Sequence, residues 1–203
     1  MLNRRKTAPM GQIRIIGGMW RGRKLPVLDR EGLRPTTDRV RETLFNWLAP
    51  DIVASRCLDC FAGSGALGFE ALSRQAKEVV FIELDRSVAQ QLDTNVKTLQ
   101  ATDATVLNTS ATDYLSRAGT PFDIVFIDPP FRKGMLANVT ALLERNNWLA
   151  DDAIIYVETE SESMLAEIPN NWRLYREKKA GQVAYRLFVR DESQNTEGEC
   201  DAH

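Results

Sequence analysis

LDCFAGSGALG, residues 58–68, follows a short apolar run and opens an amphipathic, helix-like segment. Gly63, Gly65 and Gly68 match the pattern G-x-G-x-x-G, in which glycine permits a tight turn and lets a ligand approach the backbone closely. A loop of this kind between a strand and a helix is typical of α/β proteins that bind a nucleotide or a nucleoside. The segment therefore predicts the first strand, turn and helix of such a fold.

Strand-like and helix-like segments alternate from residue 56 onward, as expected for a doubly wound, Rossmann-like α/β sheet that is mostly parallel and covered by helices on both faces. The predicted strands are 56–60, 78–83, 104–108, 122–127 and 153–158, and the predicted helices are 66–74, 87–99, 111–117 and 135–146. Residues 172–178 and 183–190 flank Ala180-Gly181 and predict an antiparallel C-terminal hairpin that extends the sheet.

The N-terminal region has a different pattern. Residues 12–16 and 19–27 flank Gly17-Gly18 and predict a small β-hairpin, and 38–48 predict a helix with Thr36 or Thr37 as its N-cap. We therefore expect four regions along the chain. They are a disordered basic tail (1–10), a hairpin and helix extension that binds RNA (11–50), the main α/β domain (51–190) and a disordered acidic tail (191–203).

Two carboxylates suggest which nucleoside cofactor the glycine loop serves. Glu83 ends the second predicted strand, where a carboxylate can accept hydrogen bonds from both hydroxyls of a ribose. Asp59 precedes the glycines, where it would repel a pyrophosphate but attract the charged amino group of a methionine moiety. Asp59 therefore favours S-adenosylmethionine over a dinucleotide, although an Asp here can also cap the adjacent turn. Phe61 lies in the same loop, and Ser110 and Ala111 follow the third strand, where the adenine ring would pass.

Asp128-Pro129-Pro130-Phe131 follows the fourth predicted strand and indicates the chemistry. The carboxylate of Asp128 and the rigidly held carbonyl of Pro129 can accept both hydrogens of an amino group on an aromatic ring. Phe131 can stack on that ring. This arrangement aims the nitrogen lone pair at a methyl donor and predicts an amino-group methyltransferase. A proline-rich turn that merely ends the strand is the structural alternative.

The charge is distributed unevenly along the chain. Residues 1–41 contain eleven Lys and Arg and three acids, whereas the whole chain has a net charge of -2. A basic segment on an acidic body is suited to a polyanion such as RNA, although a solvated arm would have the same composition. The candidate RNA-binding residues are Arg14, Trp20, Arg21, Arg23, Lys24 and Arg34.

Other features exclude several classes of function. The only histidine is His203, so neither a histidine-based triad nor a histidine-ligated metal site is expected. Cys57 and Cys60 form C-x-x-C, but within a predicted strand they point to opposite faces, which disfavours a metal or redox pair. The apolar runs are far shorter than the ~20 residues of a membrane span, and no signal peptide is evident. We expect a cytoplasmic protein that is a monomer and binds neither metal nor membrane.

The combined motifs resemble those of class I S-adenosylmethionine-dependent methyltransferases. More narrowly, the chain resembles the bacterial family of 16S rRNA guanine-N2 methyltransferases that modify guanine 966. The resemblance spans nearly all of 11–190, and its matching stretches are 14–25 (RIIGGMWRGRKL), 34–48 (RPTTDRVRETLFNWL), 58–72 (LDCFAGSGALGFEAL), 81–86 (FIELDR) and 122–131 (FDIVFIDPPF).

This resemblance implies a seven-stranded sheet and methylation of the exocyclic amine of a guanine in 16S rRNA, either as free RNA or in an assembling small subunit. It assigns Asp59, Gly63, Gly65 and Glu83 to the cofactor, and Asp128, Pro129 and Phe131 to the target base.

Three alternatives to this function stay open at the level of sequence. An adenine-N6 or glutamine-amide methyltransferase would use a similar (Asn/Asp)-Pro-Pro-aromatic motif, although the basic arm favours nucleic acid. A nicotinamide-dependent oxidoreductase would explain the glycine loop and Glu83 but not Asp128-Pro129-Pro130-Phe131. A non-catalytic RNA-binding module would retain the fold without the reaction.

Overall fold

The computed structural model describes residues 10–29, 36–130, 134–160 and 162–192. The strands in this part of the chain are β1 (Met10–Arg14), β2 (Lys24–Leu28), β3 (Arg56–Asp59), β4 (Glu78–Ile82), β5 (Ala104–Leu107), β6 (Phe122–Ile127), β7 (Leu149–Thr159), β8 (Trp172–Ala180) and β9 (Val183–Arg190). The helices are α1 (Asp38–Leu48), α2 (Ala66–Ser73), α3 (Arg86–Thr98), α4 (Ala111–Leu115) and α5 (Met135–Arg145), with a 3-10 helix at Glu162–Glu167.

Seven strands form one sheet in the order β5-β4-β3-β6-β7-β9-β8, and β1 and β2 form a separate antiparallel pair. Strand β9 is antiparallel to both of its neighbours, and the other pairings in the sheet are parallel. The predicted seven-stranded sheet with its C-terminal antiparallel hairpin is confirmed. Because the strand order runs outward in opposite directions from β3 and β6, their carboxyl ends meet where open α/β sheets bind ligands.

Each face of the sheet has its own apolar cluster. Helices α1, α2 and α3 pack on one face, where Phe45, Phe69 and Leu92 are buried. Helices α4 and α5 pack on the other, where Leu115 and Leu143 are buried. Helices therefore cover both faces, as the alternating pattern predicts.

The N-terminal pair packs into the first of these clusters. Ile13 and Leu25 are buried there with residues of the main sheet. Residues of the predicted extension (11–50) and of the predicted α/β domain (51–190) thus share a core, and the boundary between them stays a prediction. Thr37 caps α1, where its side-chain oxygen accepts the N–H of Val40 at 3.3 Å, as expected from the sequence.

Two predicted strands begin four or more residues away from their observed starts. Residues 19–23 form turns rather than the start of a strand, because the N–H of Met19 donates to the carbonyl of Ser73, and Gly22 has a φ of 81°. Strand β7 begins at Leu149 rather than at 153, because Leu149 pairs with Phe122 across an irregularity in the β6–β7 register. Both differences arise from contacts that are distant in sequence.

Candidate active site

Asp59 ends β3 and is buried, with an exposed fraction of 3%. The main-chain N–H groups of Phe61 and Gly68 donate to its carboxylate. No donor among the described residues reaches its second oxygen, Oδ2. Burial, with a smaller effect from the charge of Glu83, raises the pKa of Asp59 to about 7. A buried acceptor without a partner is costly, so this oxygen is suited to a donor that arrives with a ligand.

The glycine loop connects Asp59 to α2 and has no room for a side chain at Gly65. Gly65 is the residue before α2 and has a φ of 79°, a conformation that favours glycine. A Cβ at this position would lie 2.5 Å from the ring of Phe69 and 2.6 Å from Leu92. Both the backbone conformation and the lack of space therefore require glycine at position 65.

Glu83 follows β4 and holds the glycine loop directly. Its Oε2 accepts the N–H of Gly63 at 2.8 Å, and its Oε1 accepts the N–H of Asp85 at 3.0 Å. Leu84, the next residue, is an exposed apolar side chain. The two predicted cofactor residues Gly63 and Glu83 are therefore in contact, and the carboxylate lies beside the loop at the edge of the sheet.

The segment after β5 continues the same edge. Ser110 caps α4, since its hydroxyl oxygen accepts the N–H of Asp113 at 3.1 Å, and Ala111 is buried. Asn108 was missed by sequence reasoning. Its side-chain amide donates to the carbonyls of Glu83 and Leu84, both at 2.9 Å, and thereby fixes the turn after β4. An Asn at the end of a predicted strand (104–108) is the signal that could have identified it.

Asp128 follows β6, which lies beside β3 in the sheet. The register pairs Asp59 with Phe126, so that Asp128 lies two residues further along the neighbouring strand. Asp128 is half-buried and Pro129 is buried. Burial and then the charges of Glu158 and Asp59 raise the pKa of Asp128 well above its usual range. The site therefore brings two acidic side chains from adjacent strands to one edge.

Glu158 is a third acid at this edge that sequence reasoning missed. It is half-buried on β7 and shares a hydrogen bond with the carboxyl of Asp128. The hydroxyl of Tyr156 donates to its Oε2 at 3.4 Å. A usable signal was present, because 153–158 (AIIYVE) ends in an acid as 78–83 (EVVFIE) does. The order of the strands, which the sequence did not supply, was needed to pair it with Asp128.

The predicted RNA-binding side chains lie on and between β1 and β2. Arg14, Arg21, Arg23 and Lys24 are exposed. Arg14 forms an ion pair with Asp38 at 3.5 Å, and Arg23 donates to the carbonyl of Thr98 at 3.4 Å.

Trp20 is half-buried and packs against the core, so that only part of its ring is available to a base. Arg34 of the RNA set and Phe131 of the target-base set lie outside the described residues, as do 1–9 and 193–203 of the predicted tails.

Other candidate sites are limited. Burial raises the pKa of the Cys57 thiol to about 12 and that of Cys60 well above its usual value, which makes both thiols unreactive. In the described ranges, acids, cysteines and histidines form no group of three or more that could hold a metal ion. Within the same ranges, no helix combines the length and the apolar character that a membrane crossing requires.

Comparison with known proteins places this geometry in a family. Residues 13–189 match the family model described as conserved hypothetical protein 95. The chain is 64% identical over 192 residues to ribosomal RNA small subunit methyltransferase D of Escherichia coli strain K12, with 95% of each chain covered.

Comparison with solved structures also finds proteins named as methyltransferases. The E. coli protein yhhF superposes with a TM-score of 0.84 at 63% identity, covering 89% of this chain and 99% of that one. The 16S rRNA N2 G1207 methyltransferase of Thermus thermophilus, in complex with AdoMet and guanosine, superposes with a TM-score of 0.66 at 19% identity. That match covers 91% of this chain and 50% of the other, and it shows a shared fold. The chain therefore belongs to the conserved hypothetical protein 95 family and to the family of the ribosomal RNA small subunit methyltransferase D proteins.

Proposed function

We propose that this protein transfers a methyl group from S-adenosylmethionine to the exocyclic N2 amino group of a guanine in 16S rRNA. The observation that carries the proposal is the placement of Asp59 and Asp128 at the carboxyl ends of adjacent strands, β3 and β6. One acid is suited to a charged cofactor and the other to an amino group. Such an arrangement would place the methyl donor beside the amino group that receives the methyl.

The residues around the glycine loop fit S-adenosylmethionine. Oδ2 of Asp59 is a buried acceptor that the ammonium group of the methionine moiety would satisfy. The carboxylate of Glu83, which already accepts the N–H of Gly63 in the loop, would also accept the ribose hydroxyls. Phe61, Ser110 and Ala111 would border the remainder of the cofactor. When bound, this cofactor supplies a methyl group on a positively charged sulfur, which is already activated for transfer.

Asp128 and Pro129 would hold the target amine. An amino group on a purine is a weak nucleophile because its lone pair is delocalised into the ring. Two acceptors, the Asp128 carboxyl and the Pro129 carbonyl, would bind its two hydrogens and turn the lone pair out of the ring plane. Phe131 would stack on the base. Orientation of this kind lowers a reaction barrier by roughly 7–11 kcal/mol, which makes a strong base unnecessary.

The choice of guanine and of 16S rRNA comes from the family. The E. coli relative is named a small-subunit ribosomal RNA methyltransferase, and the T. thermophilus enzyme of the same fold is named for N2 methylation of a guanine. The exposed cations Arg14, Arg21 and Lys24 support a polyanionic substrate. We infer that the substrate is the 16S RNA, alone or in an assembling small subunit.

Identification of the methylated nucleoside tests this function. The purified protein is incubated with methyl-labelled S-adenosylmethionine and with 16S RNA transcribed in vitro or small-subunit particles that lack RNA methylation. The RNA is then digested to nucleosides and separated by chromatography with mass detection. We expect a single labelled product, N2-methylguanosine. Label in N6-methyladenosine would replace guanine by adenine as the target, and label in protein rather than RNA would overturn the proposed substrate.

A further inference from the structure

The carboxyl groups of Asp128 and Glu158 face each other at the carboxyl edge of the sheet. Strands β6 and β7 are parallel neighbours, and Ile127 pairs with Val157. The next residues on the two strands, Asp128 and Glu158, are therefore level with each other. Their carboxyl groups lie within hydrogen-bonding reach of each other, and a hydrogen bond between two carboxyl groups requires one proton. The pair is therefore suited to hold a single proton between two acids.

The surroundings of the pair favour retention of that proton. Both side chains are half-buried, and the charged groups that act most strongly on Asp128 are all acids: Glu158, then Asp59 on β3, and Glu160 beyond the end of β7. The hydroxyl of Tyr156 donates to Glu158 and partly opposes the effect of burial on its pKa, and Tyr185 on β9 pairs with Glu158 in the strand register. Burial and these neighbouring charges raise the pKa values of both Asp128 and Glu158.

We propose that Glu158 is a positioning residue for methyl transfer, which orients Asp128 through their shared proton and takes up that proton when Asp128 receives one from the substrate. This inference rests on the proposed amino-group methylation. It assigns a role in the reaction to a residue outside the Asp-Pro-Pro-Phe motif.

The proton balance of the reaction fits such a pair. As the N–CH3 bond forms and the S–CH3 bond breaks, the amino nitrogen must lose one proton. The Asp128 oxygen that faces the amine accepts this proton, while the proton between the two carboxyls moves to Glu158. The pair then holds two protons and no charge. One of these protons passes to water from the half-buried Glu158, which restores the starting state.

The test compares Glu158→Gln with the wild type, with Glu160→Gln as a control. Glu160 is an exposed acid two residues away, so its substitution removes the same charge but keeps both carboxyl groups of the pair. Affinities for cofactor and RNA are measured with the rate of a single turnover. We expect Glu158→Gln to retain both affinities and to lose about 10-fold to 100-fold in rate. Glu158→Asp, which keeps a carboxyl group, should recover most of it, and Glu160→Gln should stay near wild type.

A titration separates this inference from the proposed function. Protein labelled with carbon-13 at the aspartate carboxyls is titrated by NMR, which reports the pKa of Asp128 without any reaction. The resonance of Asp128 should titrate far above the usual aspartate range in the wild type and at lower pH in Glu158→Gln. An unchanged titration, or an unchanged turnover rate, would overturn the role of Glu158. Failure of the wild type to methylate RNA, with the titration as expected, would overturn the proposed function instead.

Discussion

The carboxylate of Glu70 on α2 accepts the main-chain N–H of Gly17, 53 residues earlier in the chain, at 2.9 Å. The neighbouring N–H of Ile16 donates to the same carboxylate at 3.0 Å. Two guanidinium groups also form ion pairs with this carboxylate, that of Arg41 in α1 at 3.4 Å and that of Arg74 at 3.0 Å. Glu70 is fully buried. One acid therefore joins the basic N-terminal arm to the helices that cover the sheet.

Substitution of Glu70 by Gln should destabilise the protein. The variant loses an acceptor oxygen and leaves the guanidinium of the buried Arg41 without the charge of Glu70. Breaking a buried ion pair costs about 3–5 kcal/mol. We expect a loss of this size in the free energy of unfolding, measured by urea denaturation. Glu42→Gln, on the exposed face of α1, should change it by less than about 0.5 kcal/mol. A Glu70→Gln variant within about 1 kcal/mol of wild type, which is roughly the error of the method, would show that the acid does not anchor the arm.

The strands and helices that carry the site follow from local patterns, whereas the anchoring of the arm does not. Apolar runs that end in Asp59, Glu83 and Asp128 predict strand ends at one edge of a parallel sheet. The turns at 19–23 depend on Ser73, whose backbone and hydroxyl oxygens accept the N–H groups of Met19 and Trp20. No periodicity within 12–27 contains that information.

The same distinction explains which acids of the site were predicted. Asp59 and Asp128 each belong to a local motif whose spacing suggests a ligand. Glu158 acquires its partner only because β7 lies next to β6 with Ile127 opposite Val157. Strand order is a property of the whole fold, so the Asp128–Glu158 pair could be found only in the structure.

Asp59→Asn should increase the stability of the protein at neutral pH and weaken its binding of the cofactor. Burial raises the pKa of Asp59 from 3.8 to about 7, so its proton is held more tightly in the folded state than in the unfolded state. Below pH 4 both states are protonated and no cost arises. Between pH 4 and pH 7 the folded state binds more protons, so stability falls as pH rises, by on the order of 4 kcal/mol in total. Unfolding by urea at pH 4 and pH 8 should show Asp59→Asn gaining stability relative to wild type at the higher pH.

The same variant should bind the cofactor more weakly than the wild type does. Loss of the charge removes an ion pair with the ammonium group, and we expect calorimetry at pH 8 to show about 10-fold to 100-fold weaker binding of S-adenosylmethionine. Wild-type affinity should rise with pH up to about 7 and then level off, because the ammonium group favours the ionised carboxylate. Asp51→Asn, at an exposed turn, is the control. Equal affinity in wild type and Asp59→Asn would remove Asp59 from the cofactor site.

The basic arm should determine the salt dependence of RNA binding. If the four exposed cations Arg14, Arg21, Arg23 and Lys24 each contact a phosphate, the slope of log K against log salt should be about -3, at ~0.7 per contact on single-stranded RNA. Deletion of the arm is a poor test, because Ile13 and Leu25 belong to the core. Point substitutions retain the fold.

The double variant Arg21→Gln and Lys24→Gln should flatten that slope to about -1.5, as measured by fluorescence anisotropy over a range of salt concentrations. Lys77→Gln is the control, since Lys77 is exposed just before β4, at the amino ends of the parallel strands, whereas Asp128 lies at their carboxyl ends. Equal slopes for the double variant and the wild type would show that the phosphates bind elsewhere.

Asp128→Ala should separate binding from transfer. Asp128 lies beyond the end of β6 and acts on Asp59 through charge rather than through a hydrogen bond, so cofactor affinity should stay within about threefold of wild type. Removal of one of the two acceptors for the amine should lower the single-turnover rate by at least about 100-fold. Quench-flow with labelled cofactor provides the measurement. A variant that transfers methyl groups at the wild-type rate would exclude Asp128 from the reaction.

The central claim is that the exocyclic amino group of a guanine receives the methyl group. Inosine differs from guanosine only by lacking that amino group, so a 16S RNA with inosine at the modified position retains the shape and charge of the substrate. We predict that the inosine RNA binds with the affinity of the guanosine RNA and accepts no label from methyl-labelled S-adenosylmethionine. Undiminished labelling of the inosine RNA at that nucleotide would contradict the claim.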